Sequence, residues 1–412
     1  MLLQSIRVRI LLLVMVGTII NYIARNSLGA LAPVLISELH LSTEQYSYVV
    51  GAFQISYTVM QPLVGILIDN IGLTIGFSLC ALIWSLASMA HGLAHSWIGL
   101  AGFRAILGLS ESAAIPSGMK AIGEWFPDRE RSIAVGWFNA GTSLGAVIAP
   151  ILATFVAVRY GWASAFAVTG ILGVIFALTW LTYYRSPQQA TFLGETERSL
   201  IESSQREVIS RSGTLNDLVR LPRFWAIAVP RFFAEPAWQT FSFWIPLYFA
   251  RERGMDLTQI ALFAWVPFLA ADLGGIFAGY ASVKLQQVAQ TKLEISRITI
   301  IGLASILMIA PGAVGYVMDP VAVVILLAIG GFGHQAISVM INTLSADVFN
   351  KSDIAKANGL IGMWGWTGGL IFSLIVGQLA DRVGFTPLFL ALGLFDLIGF
   401  AWIFFMRRHI VL

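Results

Sequence analysis

Apolar residues in this chain gather in runs of roughly 20, and polar residues gather in the short stretches between them. A run of that length crosses the ~30 Å hydrocarbon layer of a bilayer at 1.5 Å of rise per residue. Twelve are predicted as membrane-spanning helices, over residues 8–33, 45–68, 73–92, 97–122, 132–157, 163–184, 224–249, 259–282, 295–317, 320–346, 356–380 and 386–406. The first follows MLLQSIRVRI and continues through Asn21 and Arg25 without a small-residue cleavage site, so it reads as a span and not as a signal peptide. The expected class is an all-α integral membrane protein.

Composition agrees with that pattern. Hydrophobic residues make up 57% of the chain and charged ones only 11%, outside the range of soluble domains, so the bilayer is the expected solvent. Charge then gives the orientation. With alternate loops assigned to opposite sides, eighteen of the 25 Lys and Arg fall on one side and four, Arg159, Arg251, Arg253 and Arg382, on the other. Basic loops stay inside, which predicts cytoplasmic termini at both ends. The net charge of +3 has this local origin and implies no nucleic-acid partner. The single cysteine, Cys80, excludes an internal disulfide framework and a cysteine-based metal site. No P-loop and no H-E-x-x-H occurs, so no cofactor, metal or enzymatic chemistry is expected and energy must come from an ion gradient or from exchange.

The one long polar stretch, 185–222, contains GETERSLIESSQREV, which suits an amphipathic helix on the membrane surface. It reads as a cytoplasmic linker between six-helix bundles at 1–184 and 223–412. The two halves also match at a fixed offset of 223 residues. Gly108 meets Gly331, Phe126 meets Phe349, Gly136 meets Gly359 and Gly145 meets Gly368; Gly161, Phe166 and Gly170 then meet Gly384, Phe389 and Gly393. Spans four to six are therefore repeated as ten to twelve. Small residues recurring at such positions let membrane helices approach closely. Two parallel repeats related by an axis along the membrane normal are the architecture of major facilitator transporters.

Sequence resemblance points the same way. GILIDNIG, from Gly65 to Gly72, resembles the loop signature of that superfamily between helices two and three, with Asn70 and Leu73 where basic residues are usual. The resemblance implies a structural and gating role for Gly65, Asp69 and Gly72. More extensive is a resemblance to the anion:cation symporter family, and within it to bacterial hexuronate transporters. It is carried by NYIARNSLGALAP, EQYSYVVGAFQISYTVMQP, GLSESAAIPSGMKAIGEWFPDRERSIAVGWFNAGTSLGA, VPRFFAEPAW, AWVPFLAADLGGIFAGY and GGFGHQAISVMINTLSADVF. It implies proton-coupled uptake of galacturonate or glucuronate, a multi-pass protein of the bacterial inner membrane, and a small organic anion and a proton as partners. A monomer is expected. Another anion, such as an aldonate, a dicarboxylate or a sugar phosphate, fits the same fold. A sensor that binds without transporting is a third reading.

Charges inside hydrocarbon cost at least ~2.5 to 3.5 kcal/mol on insertion scales, so each needs a partner, a cavity or a function. Seven away from the span ends are candidates: Arg25, Arg104, Glu111, Arg231, Glu235, Asp272 and Asp396. A guanidinium forks to a carboxylate through two parallel hydrogen bonds, which makes Arg25, near the middle of the first span, the candidate for the anion. Tyr22 stands one turn before it. Arg104 and Glu111 lie two turns apart on one helix face. In the resembling carriers these positions are a cavity arginine and a protonatable carboxylate. Burial acts against the charged carboxylate and a nearby guanidinium acts for it, so Glu111 could exchange a proton as its surroundings change. A permanent ion pair joining helices is the alternative. The galactonate carriers have an acidic residue before the helix-one arginine, and here that residue is Ala24. A relay of two carboxylates is thus not implied.

In the second half His334 occupies the repeat position of Glu111, and Gln335, Ser338 and Asn342 continue its polar face. Arg231 and Glu235, four apart, can neutralise each other within one helix, with Pro230 and Pro236 making that span breakable. Aromatic platforms with polar edges suit a sugar, which adds Gln54, Tyr57, Trp238 and Trp364, and more weakly Asn139 and Asn358. Tyr57 matches a cavity tyrosine of the resembling carriers. Asp272 and Asp396 receive no site role.

Overall fold

The computed structural model describes residues 6–126, 128–190, 215–349 and 354–410. Its helices are α1 Ile6–Glu38, α2 Thr43–Ile71, α3 Leu73–Ala90, α4 Trp97–Glu111, α5 Ala114–Trp125, α6 Asp128–Tyr160, α7 Trp162–Tyr183, α8 Leu215–Val219 and α9 Pro222–Phe243. They continue with α10 Ile245–Arg253, α11 Leu257–Phe263, α12 Val266–Ala289, α13 Leu293–Leu307, α14 Pro320–Val348, α15 Ile354–Val383 and α16 Thr386–Met406. Among the described residues, ten helical segments are long and apolar enough to cross a bilayer. With α2 and the more polar α9–α10, which carries Arg231 and Glu235, they complete the twelve spans of a major facilitator fold. Large apolar side chains such as Ile66, Leu303 and Phe405 are more than half exposed. In water such surfaces would drive aggregation, whereas lipid tails cover them without cost. The expected amphipathic helix at 194–208 lies outside the described residues.

The chain divides into two compact units, one of Met1–Leu35 with Ala52–Ile209, the other of Ile36–Gly51 with Ser210–Leu412. The second takes in the end of α1 and the start of α2.

Proline explains where spans are interrupted. α4 stops at Glu111 and α5 resumes at Ala114. Pro116 cannot donate to the Ser112 carbonyl, and its ring crowds that carbonyl. α11 and α12 part in the same way ahead of Pro267, and α9 and α10 part at Trp244 ahead of Pro246. α9 itself runs unbroken through Pro230 and Pro236, the prolines that make this span breakable. Pro236 leaves the Phe232 carbonyl without its helical donor, and that carbonyl lies against Gly368 of α15. Freed backbone groups at membrane depth persist where they are packed in protein.

Glycines set the helix contacts. A Cβ on Gly108 would lie 2.5 Å from the Phe53 carbonyl oxygen, and one on Gly145 2.6 Å from that of Ile19. Their repeat partners behave alike: Gly331 abuts the Pro267 carbonyl and Gly368 that of Phe232. Gly161 and Gly384 match for another reason, since each turns one helix into the next at positive φ, 84° and 72°, where a side chain would be strained. Gly108→Val is expected to lower stability by about 3 kcal/mol or more, the upper end for overpacking, because backbone cannot yield as a side chain does. A loss of the monodisperse chromatographic peak and a fall in melting temperature would record it; an unchanged melting temperature would refute the contact.

Candidate functional site

In the first unit the buried charges converge. The Arg25 Nε donates to Glu111 Oε2 at 3.0 Å, with both side chains buried. One terminal nitrogen of Arg25 donates to Asn21 Oδ1 at 3.2 Å, from one helical turn earlier. The guanidinium lies 4.6 Å from the Tyr22 ring centroid, 4.7 Å from that of Tyr57 and 5.4 Å from that of Phe53. Aromatic faces at this distance attract a cation by about 0.5 to 2 kcal/mol each. The arginine is thus held by one carboxylate, one amide and three rings.

The local sequence accounts for that geometry. Glu111 is the last residue of α4, ahead of the break that Pro116 enforces. Gly145 lets α6 come against Ile19 and Tyr22 of α1, and Gly108 lets α4 come against Phe53 of α2. Arg104 shares a face with Glu111 as its spacing predicts, yet it donates to the backbone carbonyl of Arg25 at 3.1 Å. Glu111 takes its ion pair from α1. Glu111 Oε1 is buried and accepts no hydrogen bond among the described residues. Gln54 is buried beside Phe53 on α2. Sequence reasoning missed Asn21, which its four-residue spacing from Arg25 could have flagged, and Phe53, which carried no signal in an apolar run.

The second unit holds a different arrangement. Trp238 stacks on His334 with centroids 5.7 Å apart and planes at 22°, and meets Phe268 edge-on at 5.2 Å. Trp238 is half-buried, whereas His334 is buried, with Nδ1 unpartnered among the described residues. Beside this stack runs a polar chain. Arg231 pairs with Glu235 at 2.8 Å and donates to Ser338 Oγ at 2.5 Å, and Gln239 donates to Glu235 at 3.1 Å. Arg231 and Glu235 do neutralise each other as their spacing suggested. Gln335 packs against Gly275. Trp364 meets Trp225 and Phe232 instead of the Trp238–His334 stack. Asn139 and Asn358 are exposed on α6 and α15. Gly72 turns α2 into α3 at φ 89°, and a Cβ on Gly65 would meet open space. The side chain of Asp69 lies outside the described residues.

The glycine contacts fix how one unit maps on the other. Gly145 and Gly368 rest on Ile19 and Phe232, 213 positions apart; Gly108 and Gly331 rest on Phe53 and Pro267, 214 apart. By that register Trp238 stands where Arg25 stands, and His334 where Glu111 stands. The buried ion pair of the first unit corresponds to an aromatic stack in the second. At these two positions the first repeat carries an ion pair and the second an aromatic stack, its own ion pair lying at Arg231 and Glu235.

Twelve spans, with a buried arginine–carboxylate pair in the first unit, are the build of a membrane transporter. The chain belongs to the Major Facilitator Superfamily, whose family profile matches residues 14–318. It is 44% identical over 400 residues to the hexuronate transporter of Escherichia coli (strain K12), covering 96% of this chain and 93% of that one. It is 42% identical over 313 residues to the galacturonate transporter of Dickeya chrysanthemi, covering 75% and 90%. Its fold is similar to the crystal structure of a bacterial homolog of the human lysosomal transporter Spinster, in an inward-facing and occupied conformation. There the TM-score is 0.78 at 18% identity, covering 98% of this chain and 97% of that one.

Proposed function

We propose that this protein imports hexuronates, galacturonate and glucuronate, by proton symport through alternating access, in the bacterial inner membrane with both termini cytoplasmic. The observation that carries the reading is the buried Arg25–Glu111 pair within its ring of Tyr22, Tyr57 and Phe53. Arg25 is assigned to the substrate carboxylate, with Arg104 beside it, and Glu111 to the coupled proton. Tyr22, Gln54 and Tyr57 in the first unit, and Trp238, His334 and Gln335 in the second, are assigned to the sugar ring and its hydroxyls. The similarity to the two named uronate transporters supports the cargo. A substrate can bias the conformational equilibrium only through its different affinity for the two states. A carrier of another organic anion is the second reading, favoured by the presence of a second arginine, Arg104, whose guanidinium reaches the backbone of Arg25.

Uptake of labelled galacturonate and glucuronate by proteoliposomes under an inward proton gradient tests the proposal. Gradient-driven accumulation of either is the expected result, and failure of both to enter would transfer the site to another anion. Trp238→Ala should raise KM for the uronates roughly three- to tenfold, from about 0.5 to 1.5 kcal/mol of lost stacking. Trp238→Phe should restore much of it. Equal KM in all three proteins would remove Trp238 from the site.

A further inference from the structure

On the outer face of the second unit, α13 and α16 enclose an apolar groove of about 760 Å³. Ile295, Thr299, Leu303 and Ile306 form one wall; Phe400 and Phe404 form the other; Arg407 and Arg408 close one end. A second groove of about 660 Å³ lies beside it, and shares Phe400, Phe404, Arg407 and Arg408. The two grooves flank a single ridge, Phe400 and Phe404, and both end at the same two arginines.

The ridge has a packing cause. A Cβ on Gly302 would lie 2.6 Å from the Phe400 ring, so the glycine admits that ring against α13. Arg407 folds back over Phe404, its guanidinium 4.1 Å from the ring centroid and one nitrogen donating to the Phe404 carbonyl at 3.0 Å. Arg408 has no hydrogen-bonding or ionic partner among the described residues. Arg297, nearby on α13, is engaged by Asp347 and by the Thr343 carbonyl.

Length and charge then select an occupant. From Ile295 to Ile306 the wall runs about 16 Å at 1.5 Å per residue, close to one leaflet, or half of a ~30 Å hydrocarbon core. One apolar groove of leaflet depth and a shorter one beside it, lined from Phe400 to Phe405 and ending at the same pair of cations, match two acyl chains joined to one anionic headgroup. Basic pockets between membrane helices hold anionic lipid headgroups through this combination of charge and apolar contact.

We propose that the paired grooves bind one anionic diacyl glycerophospholipid, its chains on either side of the Phe400–Phe404 ridge and its phosphate on Arg407 and Arg408. The site is separate from the Arg25–Glu111 group and requires nothing about the transported substrate.

Native mass spectrometry of the full-length protein, released from phosphatidylcholine nanodiscs doped with phosphatidylglycerol, tests it. The wild type is expected to retain phosphatidylglycerol in preference. The double variant Arg407→Ala, Arg408→Ala should lower the bound ratio of phosphatidylglycerol to phosphatidylcholine by roughly twenty-five-fold, given about fivefold for each basic residue near an anionic headgroup. Thr299→Trp, which fills the first groove without touching the arginines, should lower phosphatidylglycerol retention as well; Leu303→Trp serves should that variant lose its fold. Arg407→Lys with Arg408→Lys should keep the preference. Melting temperatures in pure phosphatidylcholine report that each variant is folded. No preference in the wild type, or a preference that survives loss of both arginines, overturns the proposal. So does full retention after the groove is filled, since charge alone would then recruit the lipid.

Discussion

Arg25→Lys should weaken galacturonate binding by roughly a hundredfold while leaving the protein folded. The arginine faces three demands at once. Its Nε serves Glu111, a terminal nitrogen serves Asn21, and its plane faces the rings of Tyr22 and Tyr57. A lysine keeps the positive charge but presents a compact point donor in place of a planar fork. It can satisfy Glu111 or a substrate carboxylate, and not both in the arginine geometry. Charged hydrogen bonds are worth about 1.5 to 3 kcal/mol each, so the loss of one strong bond or two weaker ones, about 3 kcal/mol, corresponds to roughly a hundredfold. Arg25→Ala separates binding from folding. It would leave Glu111 buried without its ion-pair partner, which costs about 3 to 5 kcal/mol and should show as a marked fall in melting temperature. A lysine variant with wild-type KM would mean that Arg25 is a strut between α1 and α4 and that the anion binds elsewhere.

How much of this was legible in the sequence follows from what each signal measures. Span lengths report the hydrocarbon thickness, so twelve crossings could be read directly, whereas the interruptions ahead of Pro116, Pro246 and Pro267 fall inside spans read as continuous, 97–122, 224–249 and 259–282. Pro230 and Pro236 make the span breakable without breaking it, because a freed carbonyl needs only a packed neighbour, and Gly368, which packs on it, is far away in sequence. Buried charge identified Arg25, Arg104, Glu111, Arg231 and Glu235 because each is expensive in lipid. Spacing then put Arg104 and Glu111 on one face, but a shared face does not decide which neighbouring helix either side chain reaches. The pairing of Glu111 with Arg25 is a tertiary fact, set by close approaches at Gly108 and Gly145. The offset of 223 covered only the later helices of each half. α1 and α2 map on α9 and α12 by 213 or 214 residues, so a fixed offset of 223 could not pair Arg25 with Trp238.

The second large effect is expected from Glu111→Gln, which should abolish accumulation while preserving exchange. Glu111 keeps Oε2 on Arg25 and has Oε1 without a partner among the described residues, so the second oxygen is the atom open to a proton. A glutamine has nearly the same volume and stays in its uncharged form throughout the cycle. Arg25, no longer neutralised by Glu111, would still meet the substrate carboxylate. Counterflow of labelled against unlabelled galacturonate should therefore continue. Net uptake changes in kind. One proton carried with one monovalent anion is electroneutral, so a gradient of one pH unit supplies about 1.4 kcal/mol and sustains roughly tenfold accumulation in the wild type. In the glutamine variant the ratio should fall to that of simple equilibration, whatever the external pH. If the variant still accumulates tenfold, the proton travels on another group, and Glu111 serves only to hold α4 against α1. If exchange is lost together with accumulation, Glu111 is needed for binding itself and the separation of roles between it and Arg25 fails.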